Sequence, residues 1–240
     1  MRLPVIRGVI RRRILVNFSV DPSVMQTQLP SRFRPKLHDG RSIAGICLIR
    51  LESVRPRLVP QIFGISSENA AHRIAVVWQT DGAEKEGVLI PRRDTGSTLN
   101  HFAGGRLFPG EHHRARFTVR EGSDTIDLSM RSLDGGVSVR VRGRLGGGFP
   151  GSSRFSSLAE ASAFFEPGSV GYSVTRDAGR LDGLELRTHG WSVEPLQIDD
   201  VYSSYFSDDT RFPRGSVEFD CALLMRNLGH EWRGTQDLYV

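Results

Sequence analysis

Lysine is nearly absent from this 240-residue chain. Of its 32 basic residues 30 are arginine, and only Lys36 and Lys85 are lysine. Amine chemistry is thereby confined to two positions, and both lie near Asp-Gly turns, where exposed side chains are expected. Cysteine is equally scarce. Cys47 in AGICLIRL and Cys221 in EFDCALLM sit inside apolar runs without CxxC spacing. That excludes a disulfide framework and a thiolate zinc site, and reads as two small buried hydrophobes in a reducing compartment. No run approaches the roughly 20 apolar residues that span a bilayer. The start, MRLPVIRGVIRRRILVNFSV, is interrupted by Arg11, Arg12 and Arg13 and ends at Asp21-Pro22, so it is not read as an export signal. A cytoplasmic location without a membrane partner is expected.

Catalytic and cofactor motifs are also missing. There is no GxSxG, no P-loop lysine after the glycines of GRLGGGFPG, and no HxH or HExxH, so serine nucleophiles, phosphate cradles and metal sites find no support. No cofactor is expected. Charge narrows the partners further. The net charge is +5, but Arg2, Arg7, Arg11, Arg12 and Arg13 fall within the first 20 residues, which hold no acid, and beyond them 27 basic residues face 27 acidic ones. Residues 1–13 therefore read as a basic arm or edge segment on a neutral body, whose overall charge points to no polyanionic partner.

What is present is strand pattern. DPSVMQTQLP, with Asp21 at an N-cap and Pro22 at the first helical position, is one short helix. Asp39-Gly40 joins two strand-like runs, and RIAVVWQT and EGVLIPRR flank the charged turn DGAEKE. From residue 113 the alternation is strict: His113, Ala115, Phe117 and Val119 share one parity, then Ile126, Leu128 and Met130, then Val137, Val139 and Val141. Three such runs joined by turns make an antiparallel meander with one buried face and one wet face. Residues 144–155, RLGGGFPGSSRF, could be a linker. The chain beyond it holds one helix, Ser157 to Phe165 with a capping box at Glu160, and a few short strand runs (GYSVTR, LELRTH, WSVEPL, VEFDCALLM), too little to bury a core alone. The reading is one domain over 1–240, mainly β (α+β), a curved antiparallel barrel or double sheet with a few short helices and room for a small-molecule cavity.

Two stretches carry candidate chemistry. In GGRLFPGEHHRARF, residues 104–117, an extended backbone sends His112 and His113 to opposite faces, so they do not chelate one ion. Parity places His113 inward with Ala115, Glu111 alongside it, and His112 outside with the arginines. The competing reading of His113 is a core histidine bonded to a carbonyl. In PRRDTGSTLNHFAGGR, residues 91–106, Arg92, Arg93, Asn100 and Arg106 surround a helical turn, and arginine forks suit carboxylates. The competing reading is an ion pair with Asp94. His72 and Arg73 carry the same two readings. The outer meander face, with Arg114, Arg116, Arg120, Arg131, Arg140 and Arg142, is the best case for nucleic acid, but its aromatic, Phe117, lies on the other face, so this partner is disfavoured.

GGRLFPGEHHRARF resembles the Gly-Arg, aromatic, Pro, two-Lys run of acetoacetate decarboxylase, and more closely the matching segment of a related uncharacterised bacterial family, the YqjF-like conserved proteins of unknown function. VNFSVDPSVMQTQLP, EGVLIPRRDTGSTLNHFAGGRLFPG and DDVYSSYFSDDTRFPRGSVEFDCALLMRNLGHEW extend the resemblance over most of the chain. It implies an acetoacetate-decarboxylase-like fold with an interior cavity. The positions that match the decarboxylase lysine pair are Gly110 and Glu111, so Schiff-base decarboxylation is not expected, while Arg106 matches the motif's arginine. The expectation is a cavity for a small carboxylate- or carbonyl-bearing metabolite. Glu111 and His113 are its acid-base candidates, and Arg92, Asn100, Arg106 and His72 the ligand-binding ones. Alternatives of other classes are a non-catalytic binding or sensing module and, least favoured, an anionic-partner surface. A homo-oligomer is compatible with the sequence.

Overall fold

The basic start of the chain is a central strand. Ile6–Val20 forms β1, hydrogen-bonded antiparallel on one side to Arg41–Pro56 and on the other to Val217–Gly234. This corrects the arm or edge reading for residues 6–13. The arginines are accommodated because successive residues face opposite sides: Arg12 is buried against Glu68 and Glu121, whereas Arg13 points to the other face. The computed structural model describes residues 5–103, 109–177 and 179–240.

After β1 comes α1 (Pro22–Thr27), whose N-cap Asp21 accepts hydrogen bonds from the Ser23 and Val24 amides. Next are the two-residue strands β2 (Arg34–Pro35) and β3 (Leu37–His38), then β4 (Arg41–Pro56), β5 (Ile65–Thr80) and β6 (Ala83–Thr95). Asp39 and Asp81 adopt positive φ and Gly40 and Gly82 follow them, so both expected Asp-Gly hairpins form. A short helix, α2 (Thr98–Ala103), precedes the meander of β7 (His112–Glu121), β8 (Thr125–Ser132) and β9 (Ser138–Arg144). Helix α3 (Leu158–Phe165) starts at Ser157, whose hydroxyl accepts from the Glu160 amide, while the Glu160 carboxylate turns back to Ser156. The remaining strands are β10 (Val170–Val174), β11 (Arg180–Thr188), β12 (Glu194–Pro195), β13 (Gln197–Ser203), β14 (Val217–Gly234) and β15 (Leu238–Tyr239). QIDDVYS gives β13 without an apolar alternation, since its partner β9 supplies the hydrogen bonds.

Together the described strands form one mainly antiparallel 15-stranded sheet. It is mixed, because β6 pairs parallel with β10 at residues 88–90 and with β7 at residues 93–95. Strand β6 also pairs with β5, so the sheet curves back on itself through β10, β11, β14, β1 and β4. The curvature separates two cores. Ile14, Val16, Leu48, Ala115, Leu128 and Val141 belong to the one under the meander; Leu15, Ile43, Ile49, Leu51, Phe165 and Leu223 belong to the one inside the curve, at the end closed by α3. Strand β4 reads as a nearly continuous apolar run because both of its faces are covered.

Candidate functional site

The register of four strands builds the site. Cys47 of β4 lies opposite Leu15 of β1 and Ala71 of β5, and Ala71 lies opposite Arg93 of β6. Directly paired residues share a face, so this rung places a thiol, a methyl group and a guanidinium side by side inside the curve. The next rung is Asn17, Gly45 and Arg73, and with no side chain at Gly45 the Arg73 guanidinium donates across it to Asn17 Oδ1. The rung on the other side pairs Arg13 with Ile49. Arg13, Arg73 and Arg93 therefore converge on one cavity of about 130 Å³, the volume of about four waters at liquid density. Asn100 of α2, Pro109 and His112 also line it, while Leu51, Val54, Leu184, Leu186 and Trp232 give it an apolar wall.

The three arginines differ from most others in the molecule by having no carboxylate. Arg13 donates through Nε to Cys47 Sγ at 3.3 Å, and Arg93 Nε donates to Ser173 Oγ at 3.0 Å. Arg73 is 5% exposed, its Nε has no partner among the described residues, and its guanidinium lies 4.8 Å from the Phe165 ring centre. No ion pair joins any of the three to an acid among the described residues, and none of the residues outside the description is Asp or Glu. Burial lowers both Arg73 and Arg93 to about 10, an effect that Cys47 opposes for both and Asp182 opposes for Arg93. Uncompensated cations at this depth cost free energy that a bound anion would return.

Asn100 donates through Nδ2 to Ser67 Oγ at 3.0 Å and leaves Oδ1 without a partner among the described residues. His112 contacts the Gly110 carbonyl through Nδ1 at 3.2 Å. Burial and the neighbouring Arg93 lower it to about 3, so it is neutral and its other ring nitrogen is an acceptor. Gly110 itself has φ of +75°, and a Cβ there would come within 2.5 Å of Ser173 Cβ. The backbone at this position thus excludes a side chain of any kind, lysine included. Among the described residues no three His, Cys, Asp or Glu side chains form a metal-binding group.

Of the expected site residues that are described, Asn100 lines the cavity and the others are placed elsewhere. His113 does share a face with Ala115, but that face looks under the meander, where its Nδ1 lies 3.0 Å from Asp134. The parity is as expected; the cavity is on the opposite side, so it is His112 that lines it, correcting its placement outside. Arg92 is on His113's side, clamped between Asp94 and Asp134. His72 packs there too, fully buried with its ring centre 4.6 Å from that of Tyr205. Burial lowers its pKa to about 3. Glu111 is on the surface, paired with Arg176 at 3.2 Å, and Arg106 lies outside the described residues. Lys36 is not exposed as expected. It pairs with Glu86 at 2.7 Å beneath Phe164, on a smaller cavity beside the first. Arg13 escapes a reading of the sequence because it looks like one more charge of a basic segment, whereas Arg73 and Arg93 each carry there both a carboxylate-binding and an ion-pair reading that the chain alone does not decide. Their signal is an arginine recurring inside strands whose other residues are apolar.

The curved, mainly antiparallel sheet is of the acetoacetate-decarboxylase-like fold class. Acetoacetate decarboxylase from Legionella pneumophila superposes with a TM-score of 0.60 at 10% identity, covering 98% of this chain and 88% of that one. An acetoacetate decarboxylase-like enzyme from Sphingomonas wittichii gives 0.61 at 10% identity, over 99% and 93%. The enduracididine biosynthesis enzyme MppR complexed with pyruvate gives 0.57 at 9% identity, over 100% and 91%. Within that class the chain belongs to the DUF2071 family, whose model, described as an uncharacterized conserved protein, matches residues 9–214. Among curated protein sequences none matches significantly.

Proposed function

We propose that the cavity binds a small metabolite through its carboxylate, held by Arg73 and Arg93 with Arg13 adjacent. The observation that carries this reading is the convergence on one cavity of three arginines, none of them in an ion pair among the described residues. Asn100 Oδ1 supplies an acceptor for a second polar group that carries a hydrogen, such as a hydroxyl, and the wall of Leu51, Val54 and Trp232 takes an apolar remainder. A solved protein of the same fold, MppR, holds pyruvate, a ligand of this chemistry. Schiff-base chemistry is not part of the proposal, since the chain's two lysines are Lys36, tied to Glu86, and exposed Lys85.

The test is thermal unfolding with matched sets of 2-oxo and simple carboxylic acids and their neutral amides. At a hundredfold excess over Kd a ligand adds roughly 2.7 kcal/mol. For a domain of this size that is a rise of roughly 5–10 °C. Acids that raise Tm while their amides do not support the reading; amides that do as well as the acids overturn it. Chemical change in a stabilising acid, followed by NMR, separates an enzyme from a binding module.

A further inference from the structure

The cavity also holds a thiol that the binding reading does not use. Cys47 lies on the same rung as Arg93, accepts a hydrogen bond from Arg13 Nε at 3.3 Å, and is flanked one rung on by Arg73. Both Arg73 and Arg93 are close enough to interact electrostatically with its sulfur. Cys221, the other cysteine, is the internal contrast. It is fully buried, takes a hydrogen bond from Asn17 at 3.4 Å, and is pushed up to about 12 by burial and the adjacent Asp220, so it stays a protonated, enclosed thiol.

A second observation points to a ligand here: Arg73, 5% exposed at the cavity wall, spends one donor on Asn17 Oδ1 and leaves its Nε without a partner among the described residues. An anion bound there lies beside the Cys47 sulfur. We propose that Cys47 is a nucleophile for carboxylates that carry an electrophilic carbon, of which α,β-unsaturated acids are the natural class. The inference rests on the carboxylate reading of the cavity. In the addition, the sulfur forms a bond to the β-carbon as the C=C π bond opens, and the thiol proton ends on the α-carbon, so no oxidant or further reactant is consumed. The arginines act twice. They hold the carboxylate so that the carbon meets sulfur, and their N–H groups stabilise negative charge on the sulfur as it attacks.

Iodoacetate and iodoacetamide test this, because they differ in charge and share a reaction: an S–C bond forms, the C–I bond breaks, iodide leaves and the thiol proton goes to solvent. Free thiols favour the amide. In the native protein, rates followed by peptide mass spectrometry should show iodoacetate labelling Cys47 several-fold faster than iodoacetamide, with Cys221 unlabelled. Arg13→Met should restore the amide's advantage, and Cys47→Ser should take up no label. An amide that reacts as fast as the acid, or a Cys47 that is labelled only after unfolding, overturns the inference. The Cys47→Ser variant keeps the two readings apart. If carboxylic acids still raise its Tm while wild type shows no preference for iodoacetate, the nucleophile fails and the binding reading stands. If they no longer do so and wild type also shows no preference, both fail.

Discussion

The arginines of the cavity and those of the outer meander are the same side chain in opposite circumstances. On the meander, Arg140 pairs with Asp200, Arg142 with Asp127 and Arg144 with Asp199, each pair in water with both partners about half exposed. In the cavity Arg73 and Arg93 are shifted down by burial and form no ion pair among the described residues, although Asp182 is near enough to Arg93 to offset part of its shift. A third circumstance lies between them. Arg12, 2% exposed under the meander, is neutralised by Glu68 and Glu121. Pairing that is satisfied within the chain is a structural device, and its value depends on depth. A buried cation left unpaired does not help the fold, and on the proposed reading that charge is met by a ligand from outside.

The sharpest way to break this comparison is at Arg12. Arg12→Met leaves Glu68, a carboxyl already raised by burial, with only the more distant Arg50 at 4.0 Å, and should cost about 3 kcal/mol of stability in urea unfolding. A loss well below that would place Arg12 with the meander arginines.

Next in size is acid sensitivity. His72 is neutral in the folded protein because burial lowers it from 6.5 to about 3. Below pH 6.5 the unfolded chain takes up a proton that the folded chain refuses, so stability is lost as pH falls from about 6.5 towards 3, by about 1.4 kcal/mol per unit for each such group. His72→Leu should flatten the fall in unfolding free energy between pH 6 and 4. An unchanged slope would show that this side of the sheet does not exclude the proton. His112 and His230, lowered to about 3 and about 4, keep the remaining slope.

The smallest stability effects belong to the pair Arg73→Met and Arg140→Ala, and their contrast sharpens the distinction most. Arg73→Met should leave Tm within a few degrees of wild type yet weaken carboxylate binding about 10- to 100-fold, the worth of a hydrogen bond to a charged group. Arg140→Ala, at a surface pair, should move neither Tm nor affinity measurably. Equal effects of the two variants on affinity would remove the case for a prepared anion site.

Much of the architecture was legible along the chain. The period-two runs from residue 113 gave the meander, Asp39-Gly40 and Asp81-Gly82 gave the hairpins, and Ser157 to Phe165 gave the capped helix, because each rests on contacts between near neighbours. The parity read in GGRLFPGEHHRARF was correct, in that His112 and His113 face opposite sides of β7. It could not say which face of β7 meets a cavity, since both faces of the sheet are covered, by different parts of the chain. That is why His113 and Arg92 stand under the meander, and His112 and Arg93 line the cavity.

The sequence by itself determined the β-rich class, the turns, and the poverty in lysine that sets this chain apart from Schiff-base chemistry. Only the tertiary structure decided which arginines are short of an acid. Arg13, Cys47, Arg73 and Arg93 come from four strands, and cross-strand register, which no local pattern encodes, puts them on one face within reach of a single small anion.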